Sequence, residues 1–84
     1  MTNQLKVRIT TETGRASVIE DRIQDIDYRA QGITIMSCSS PQPFIARNYD
    51  RDGKQVGGMA ITEQSRNALL QKAQEMGWTV SEIR

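Results

Sequence analysis

The sequence predicts one small α+β domain, an antiparallel sheet of about four to six strands with a single C-terminal helix packed on it. Three observations predict this class. Apolar and polar residues alternate along several short segments, turn-forming residues divide these segments into two hairpins, and residues 62–77 combine helical spacing with a cap at each end. With 84 residues, the chain forms one domain, residues 1–84, near the lower size limit for independent folding.

The first predicted element is a hairpin near the N-terminus. Leu5, Val7 and Ile9 alternate with polar residues, which is the period of a half-buried strand. Residues 12–14 end in a glycine and are typical of a tight turn. Alternation resumes over residues 15–19, so we expect a returning strand there.

The segment that follows the hairpin has two interpretations. We favour a short turn near residues 21–24, a strand from Asp25 to Ala30, and a second strand from Ile33 to Cys38 that is rich in β-branched residues. The alternative is a helix over residues 17–30, because four apolar residues recur there at helical spacing: Ile19, Ile23, Ile26 and Ala30.

A second hairpin is predicted after a proline-containing loop at residues 39–43. Its first strand begins at Phe44, Asp50–Gly53 form the turn, and Gln55–Ile61 form the returning strand. Two consecutive glycines, at 57 and 58, weaken a strand and indicate a bulge or the close approach of another backbone.

The helix is the best-defined element of the sequence. Thr62 is a suitable N-cap, and Gly77 is suitable as the first residue beyond the helix. Trp78 is then placed to pack on Ala73, and the residues after it are expected to form a short strand or an extended tail. The helical face predicted to pack on the sheet consists of Leu69, Ala73 and Met76.

The composition argues against most catalytic chemistry. The chain has no histidine and a single cysteine, which excludes His-based catalysis, an intrachain disulfide and any Cys/His zinc site. Cys38 has no neighbouring base in the sequence, and we expect an inert, partly buried thiol. Asn48, Asp50 and Asp52 match the start of a calcium loop, but Met59 stands where that loop needs a glutamate. We therefore expect no enzymatic activity, no cofactor and no bound metal.

Charge and hydropathy limit the partners. The net charge is +1, without the cationic excess typical of a dedicated duplex binder. The longest strongly apolar stretch, around Ile33 to Met36, is too short to cross a bilayer, so no membrane partner is expected. The N-terminal residues lack the basic-then-apolar pattern of a signal peptide, and we expect a cytoplasmic location.

The candidate binding residues lie on the second hairpin. Arg47, Tyr49, Arg51 and Lys54 cluster there, and strand parity places Arg47 and Tyr49 on one face. Arginine and tyrosine are enriched at the energetic centres of protein interfaces. Charge reversal at Arg47 is accordingly expected to abolish binding without changing the thermal midpoint.

The leading hypothesis is a small non-enzymatic protein that occludes or modulates a protein partner, as an inhibitor or regulatory accessory factor. It rests on an analogy of size and class with compact proteins of bacteria and their mobile elements. One alternative is a nucleic-acid-binding module that uses the Arg47–Lys54 hairpin, because arginine and tyrosine can contact phosphate and stack on bases. Another is a structural subunit that self-assembles through a sheet edge or Trp78, and a homodimer is compatible with the small core.

Overall fold

The computed structural model describes residues 6–23, 25–37 and 39–83. The described chain contains one α-helix and six strands, in chain order β1 (Lys6–Thr10), β2 (Ala16–Asp21), β3 (Ile33–Thr34), β4 (Phe44–Tyr49), β5 (Gln55–Ile61), α1 (Glu63–Met76) and β6 (Thr79–Ile83). One short 3-10 helix, Arg29–Gln31, precedes β3.

All six strands join one sheet, in the order β3-β5-β4-β2-β1-β6. Neighbouring strands are antiparallel except β3 and β5, which are parallel. The predicted α+β class is confirmed, with the difference that the sheet is mixed. Both predicted hairpins are confirmed as well, since β1 pairs with β2 and β4 pairs with β5.

Helix α1 covers one face of the sheet, which we call the helix face. Alternate residues of the central strands point toward it and pack against the helix and Trp78. The buried residues of this core are Val7, Ile9, Ile19, Ala46, Ile61 and Ala73. Since Ala73 is fully buried and Leu69 is partly buried, these two confirm the predicted packing face of α1, whereas Met76 is 54% exposed and does not belong to it.

Both predicted caps of α1 are confirmed. The Thr62 hydroxyl accepts a hydrogen bond from the backbone N–H of Ser65, at 3.1 Å. At the other end Gly77 adopts a left-handed conformation with φ of 72°, and its N–H donates to the Gln74 carbonyl. The Trp78 N–H donates to the Ala73 carbonyl at 2.9 Å, which completes a Schellman motif and leads the chain into β6.

A second, smaller core lies on the opposite face of the sheet. Tyr28 and Ile33, from the segment between β2 and β4, pack there against Ile45 and Ala60. The Tyr28 hydroxyl accepts a hydrogen bond from the Ile23 N–H and donates one to the Ile23 carbonyl, at 2.6 and 2.8 Å. This segment therefore folds back on itself and covers the β4–β5 side of the sheet.

The strand predicted over Asp25–Ala30 is wrong, and so is the alternative helix over residues 17–30. Asp25 has a φ of 71°, which neither a strand nor a helix allows, and the Asp27 carboxylate accepts a hydrogen bond from the Ala30 N–H. The strand predicted over Ile33–Cys38 is confirmed only for Ile33–Thr34. Cys38 itself lies outside the described residues, as does Leu5 at the start of the first predicted strand.

The glycine pair forms the irregularity that the sequence predicts. Asn48 pairs with Gly57, whereas Tyr49 pairs with Gln55, so Val56 is an extra residue in β5 and a β-bulge results. Gly58 lies opposite Ile33 in the parallel pair. A Cβ at Gly58 would stand 2.6 Å from the Ala46 carbonyl oxygen and 2.6 Å from the Ile33 Cδ1, so only glycine fits there.

No helix in the described part of the chain combines the length and the apolar character needed to cross a bilayer.

Replacement of Gly58 by alanine is expected to lower the free energy of unfolding by about 2 kcal/mol or more, because the new methyl group overlaps a backbone oxygen. Urea denaturation of the two proteins measures this difference. Gly53→Asn is the control for loss of a glycine without a clash, since nothing lies within 4 Å of a Cβ there. Its φ of 83° is strained for a side chain but is adopted by asparagine more often than by most residues, so a smaller loss is expected. Equal midpoints for Gly58→Ala and the parent would contradict the close approach.

Candidate functional site

Two turns meet at one end of the sheet, which we call the hairpin end. Residues 11–15 connect β1 to β2, and residues 50–54 connect β4 to β5. They lie side by side because β2 and β4 are antiparallel neighbours in which Ala16 pairs with Tyr49. A Cβ at Gly14 would stand 3.3 Å from the Arg51 Cβ, so the two turns are in contact.

The second turn is stabilised by the side chain of its first residue. The Asp50 Oδ1 accepts hydrogen bonds from the backbone N–H groups of Asp52 and Lys54, at 3.0 and 2.9 Å. One oxygen of the Asp50 carboxylate is thus used by the turn itself, which gives Asp50 a structural role at the start of the turn. In the described parts of the chain, no group of three or more acidic or sulfur ligands is placed to hold a metal.

A cleft of about 580 Å³ lies at the hairpin end beside the second half of α1, and we call it the turn–helix cleft. Its apolar lining includes Val56, Leu69 and Trp78, and Val56 is 63% exposed. Its polar lining includes Ser17 and Asn48, whose side chains are joined by a hydrogen bond of 2.9 Å. The cleft therefore offers accessible apolar surface and a small polar area formed by Ser17 and Asn48.

Trp78 is fixed by contacts on two sides. Its indole Nε1–H donates a hydrogen bond to the Glu12 carboxylate. The Lys72 ammonium lies 5.9 Å from the centre of the ring, within the range of a cation–π interaction. These contacts hold the indole at the edge of the cleft and occupy the carboxylate of Glu12.

Three cations lie around the cleft, among the carboxylates of Glu12, Asp50 and Asp52. Arg15 lines it, and Arg15 and Arg51 both line an adjoining depression of about 460 Å³. Lys54 is exposed in the same turn. None of these three side chains forms an ion pair with another residue in the described part of the chain. The hairpin end thus presents cations that are free to contact a partner.

The predicted site residues divide into two groups. Tyr49 lines the turn–helix cleft, and Arg51 and Lys54 lie in the turn beside it. Arg47 shares a sheet face with Tyr49, as predicted. Arg47 pairs with Val18 and Tyr49 pairs with Ala16, and these two partners lie two residues apart in β2. Arg47 lines neither depression, however, and belongs to a polar cluster further along the sheet.

In that cluster the guanidinium of Arg47 is held on two sides. Its Nε donates to the Glu20 Oε1 at 2.6 Å, and its Nη2 donates to the Gln31 Oε1 at 2.6 Å. Lys6 approaches the other Glu20 oxygen at 3.3 Å. The Arg47 and Glu20 side chains are only 20% and 18% exposed. Charge reversal at Arg47 would set two carboxylates against each other, so we now expect it to lower the thermal midpoint.

The pKa of Glu20 reflects the same contacts. Partial burial opposes ionisation of the carboxyl, but the hydrogen bonds and positive charges of Arg47 and Lys6 outweigh it and lower the pKa below its ordinary value. Glu20 is therefore an anion near neutral pH and links β2 to β1 and β4.

Several residues of the cleft escaped sequence reasoning. Val56 is exposed because of the bulge, and Arg15 reaches the second hairpin because the two turns adjoin. Trp78 is predicted to pack on Ala73 or to serve in self-assembly, but not to line a cleft, although its position after the C-cap glycine is what brings it to the hairpin end. In the sequence, the glycine pair and the lone tryptophan are the two features that could have indicated this cleft.

A second depression, of about 530 Å³, lies at the opposite end of the sheet. Ile23, Ile26 and Pro43 contribute to its lining. Its one lining cation, Arg22, lies over the Tyr28 ring at 5.9 Å, and Asp25 adds a negative charge. This surface has exposed apolar side chains but lacks the free cations of the hairpin end.

Comparison of the chain with protein-family models, with curated proteins and with solved structures finds no match.

Replacement of Glu20 by glutamine is expected to lower the free energy of unfolding by about 1–2 kcal/mol near neutral pH, because Arg47 loses a charged partner. Since folding lowers the pKa of Glu20, its stabilisation is complete above the ordinary glutamate pKa of about 4.3 and disappears as the pH falls through the lower folded-state pKa. Denaturant titrations at several pH values test whether the two proteins converge in acid.

Glu75→Gln, on the exposed side of α1, is the matched control for loss of one carboxylate. It should stay close to the parent at every pH. A constant difference between Glu20→Gln and the parent down to strongly acidic pH would contradict the ion pair.

Proposed function

We propose that this protein is a non-enzymatic binding module that engages a protein partner through the turn–helix cleft and the cations around it. The observation that carries the proposal is the accessible apolar cleft lined by Val56, Leu69 and Trp78, with Arg15 and Tyr49 beside it at the end of the sheet. Tryptophan, tyrosine and arginine are the residues most enriched at the energetic centres of protein interfaces. A role as a cytoplasmic inhibitor or regulator agrees with this mode of action.

The shape of the cleft indicates what the partner inserts. Val56 and Leu69 provide apolar surface, and the adjacent indole of Trp78 is already held in place by Glu12 and Lys72. A side chain of the partner that enters the cleft would thus bury apolar area without first ordering the tryptophan. We infer an aliphatic or aromatic anchor on the partner.

The charges indicate what surrounds that anchor. One oxygen of Asp50 and one of Glu12 accept hydrogen bonds from the turn backbone and the indole. Arg15, Arg51 and Lys54 have no ionic partner among the described residues, and they outnumber Asp52, whose carboxylate lies in the same turn. Carboxylates next to the anchor would complement these cations and speed association. The partner surface is therefore an apolar side chain flanked by aspartate or glutamate.

Nucleic acid could use the same cations, and it is the alternative outcome of the test. The three cations stand among the carboxylates of Glu12, Asp50 and Asp52, so the hairpin end lacks the cationic excess that supplies the affinity of a phosphate-backbone binder. The apolar lining of the cleft also makes no favourable contact with a phosphate group. These two features favour a protein partner.

Pull-down from lysate of the native host tests the proposal with matched baits. Arg51→Glu alters the hairpin end, and Arg29→Glu makes the same charge change at a residue that lines neither depression of the hairpin end. We expect the parent and Arg29→Glu baits to recover one protein in stoichiometric amount, with or without nuclease treatment. The Arg51→Glu bait should recover at least tenfold less of it, which corresponds to a loss of about 1.4 kcal/mol of binding free energy.

The single tryptophan gives a direct readout of the cleft. Because Trp78 is the only tryptophan of the chain and lines the cleft, acrylamide quenching of its fluorescence should fall when a tryptophan-free fragment of the captured protein is added. Equal capture by Arg51→Glu and the parent, with unchanged quenching, would refute the proposed site. Loss of the captured protein after nuclease, with binding that weakens steeply in salt, would establish the nucleic-acid alternative.

A further inference from the structure

The two edges of the sheet are unequal. At one edge, β3 contributes only two residues, and it is flanked by the 3-10 helix and by the loop with Pro41 and Pro43. At the other edge, β6 contributes five residues, and every one of them is exposed. Short edge strands resist pairing with another chain, whereas long exposed ones favour it.

Strand β6 has little protection as an edge: its one charged residue, Glu82, lies opposite Val7 on the helix face, and the other protective features are missing. Its sequence contains no lysine, proline or glycine, and its register with β1 runs without a bulge from Thr79 to Ile83. Because β6 has a neighbour only on its β1 side in the described sheet, the backbone N–H and C=O groups on its outer side are unpaired there. Such a row of groups is complementary to an extended strand.

We propose that β6 pairs with β6 of a second copy of this chain, antiparallel and centred on Ser81, to form one continuous sheet of two subunits. This inference is independent of the proposed function. In this register Ser81 faces Ser81 of the other copy, and Val80 faces Glu82 of the other copy. Glu82 is the only charged residue of β6. In this register the Glu82 side chains of the two subunits do not lie directly opposite each other.

The exposed apolar residues near β6 support a second copy as the occupant. Val80 pairs with Ile9 and therefore lies on the helix face, and it is 45% exposed. Met76, at the end of α1, is also exposed. A two-fold axis perpendicular to the sheet places both helices on the same side, so these side chains of both copies flank the junction and lose exposure together.

Replacement of Ser81 by glutamate tests the pairing. Within one subunit the new carboxylate lies opposite Arg8, which favours the folded monomer, whereas at the two-fold axis it faces its own copy. Sedimentation velocity should show the parent passing from monomer to dimer as concentration rises. Ser81→Glu should raise the dissociation constant by roughly tenfold or more.

Asn67→Glu, exposed on α1, carries the same charge change and should dimerise like the parent. An equimolar mixture of Ser81→Glu and Ser81→Lys should recover dimer, since opposite charges then meet at the axis. Amide hydrogen exchange should become slower in β6 as the parent dimerises. A monomeric parent up to millimolar concentration, equal assembly of Ser81→Glu and Asn67→Glu, or no dimer in the mixture would overturn the proposal.

Discussion

The contact of Ile33 with Gly58 is the one on which the remaining architecture depends. Ile45 and Ala60 are buried on the face opposite α1, and the described part of the chain has a single α-helix to cover the sheet. The missing side chain at Gly58 lets Ile33 lie directly on β5. This contact pairs β3 with the sheet and brings Tyr28 over Ile45 and Ala60, so that the connecting segment serves as the second cover.

The same glycine pair also shapes the hairpin end. The bulge opposite Asn48 and Tyr49 adds Val56 to β5 and leaves it exposed in the turn–helix cleft. Beyond the segment around Tyr28, the opposite face of the sheet contains the Glu20–Arg47 ion pair. Arg47 therefore stabilises the sheet, and the residues that remain accessible for recognition lie past it, in the turns.

Elements whose signals are local could be predicted from the sequence, and those that depend on distant contacts could not. The two hairpins, the caps of α1 and the bulge are encoded within a few residues of themselves, and all are confirmed. The segment around Asp25 follows instead from the Tyr28 hydroxyl and from Ile33 against Gly58. Likewise, strand parity placed Arg47 beside Tyr49, but only the register of β2 with β4 brings Glu20 to Arg47.

The geometry of the proposed dimer has a consequence for partner binding. Because β6 would pair antiparallel with its copy, the hairpin end of one subunit lies beside the opposite end of the other. The two turn–helix clefts then open at opposite ends of one continuous sheet, with both helices on the same side. A partner that repeats its binding segment along its length could occupy both, and its apparent affinity would then rise through effective concentration without any new contact.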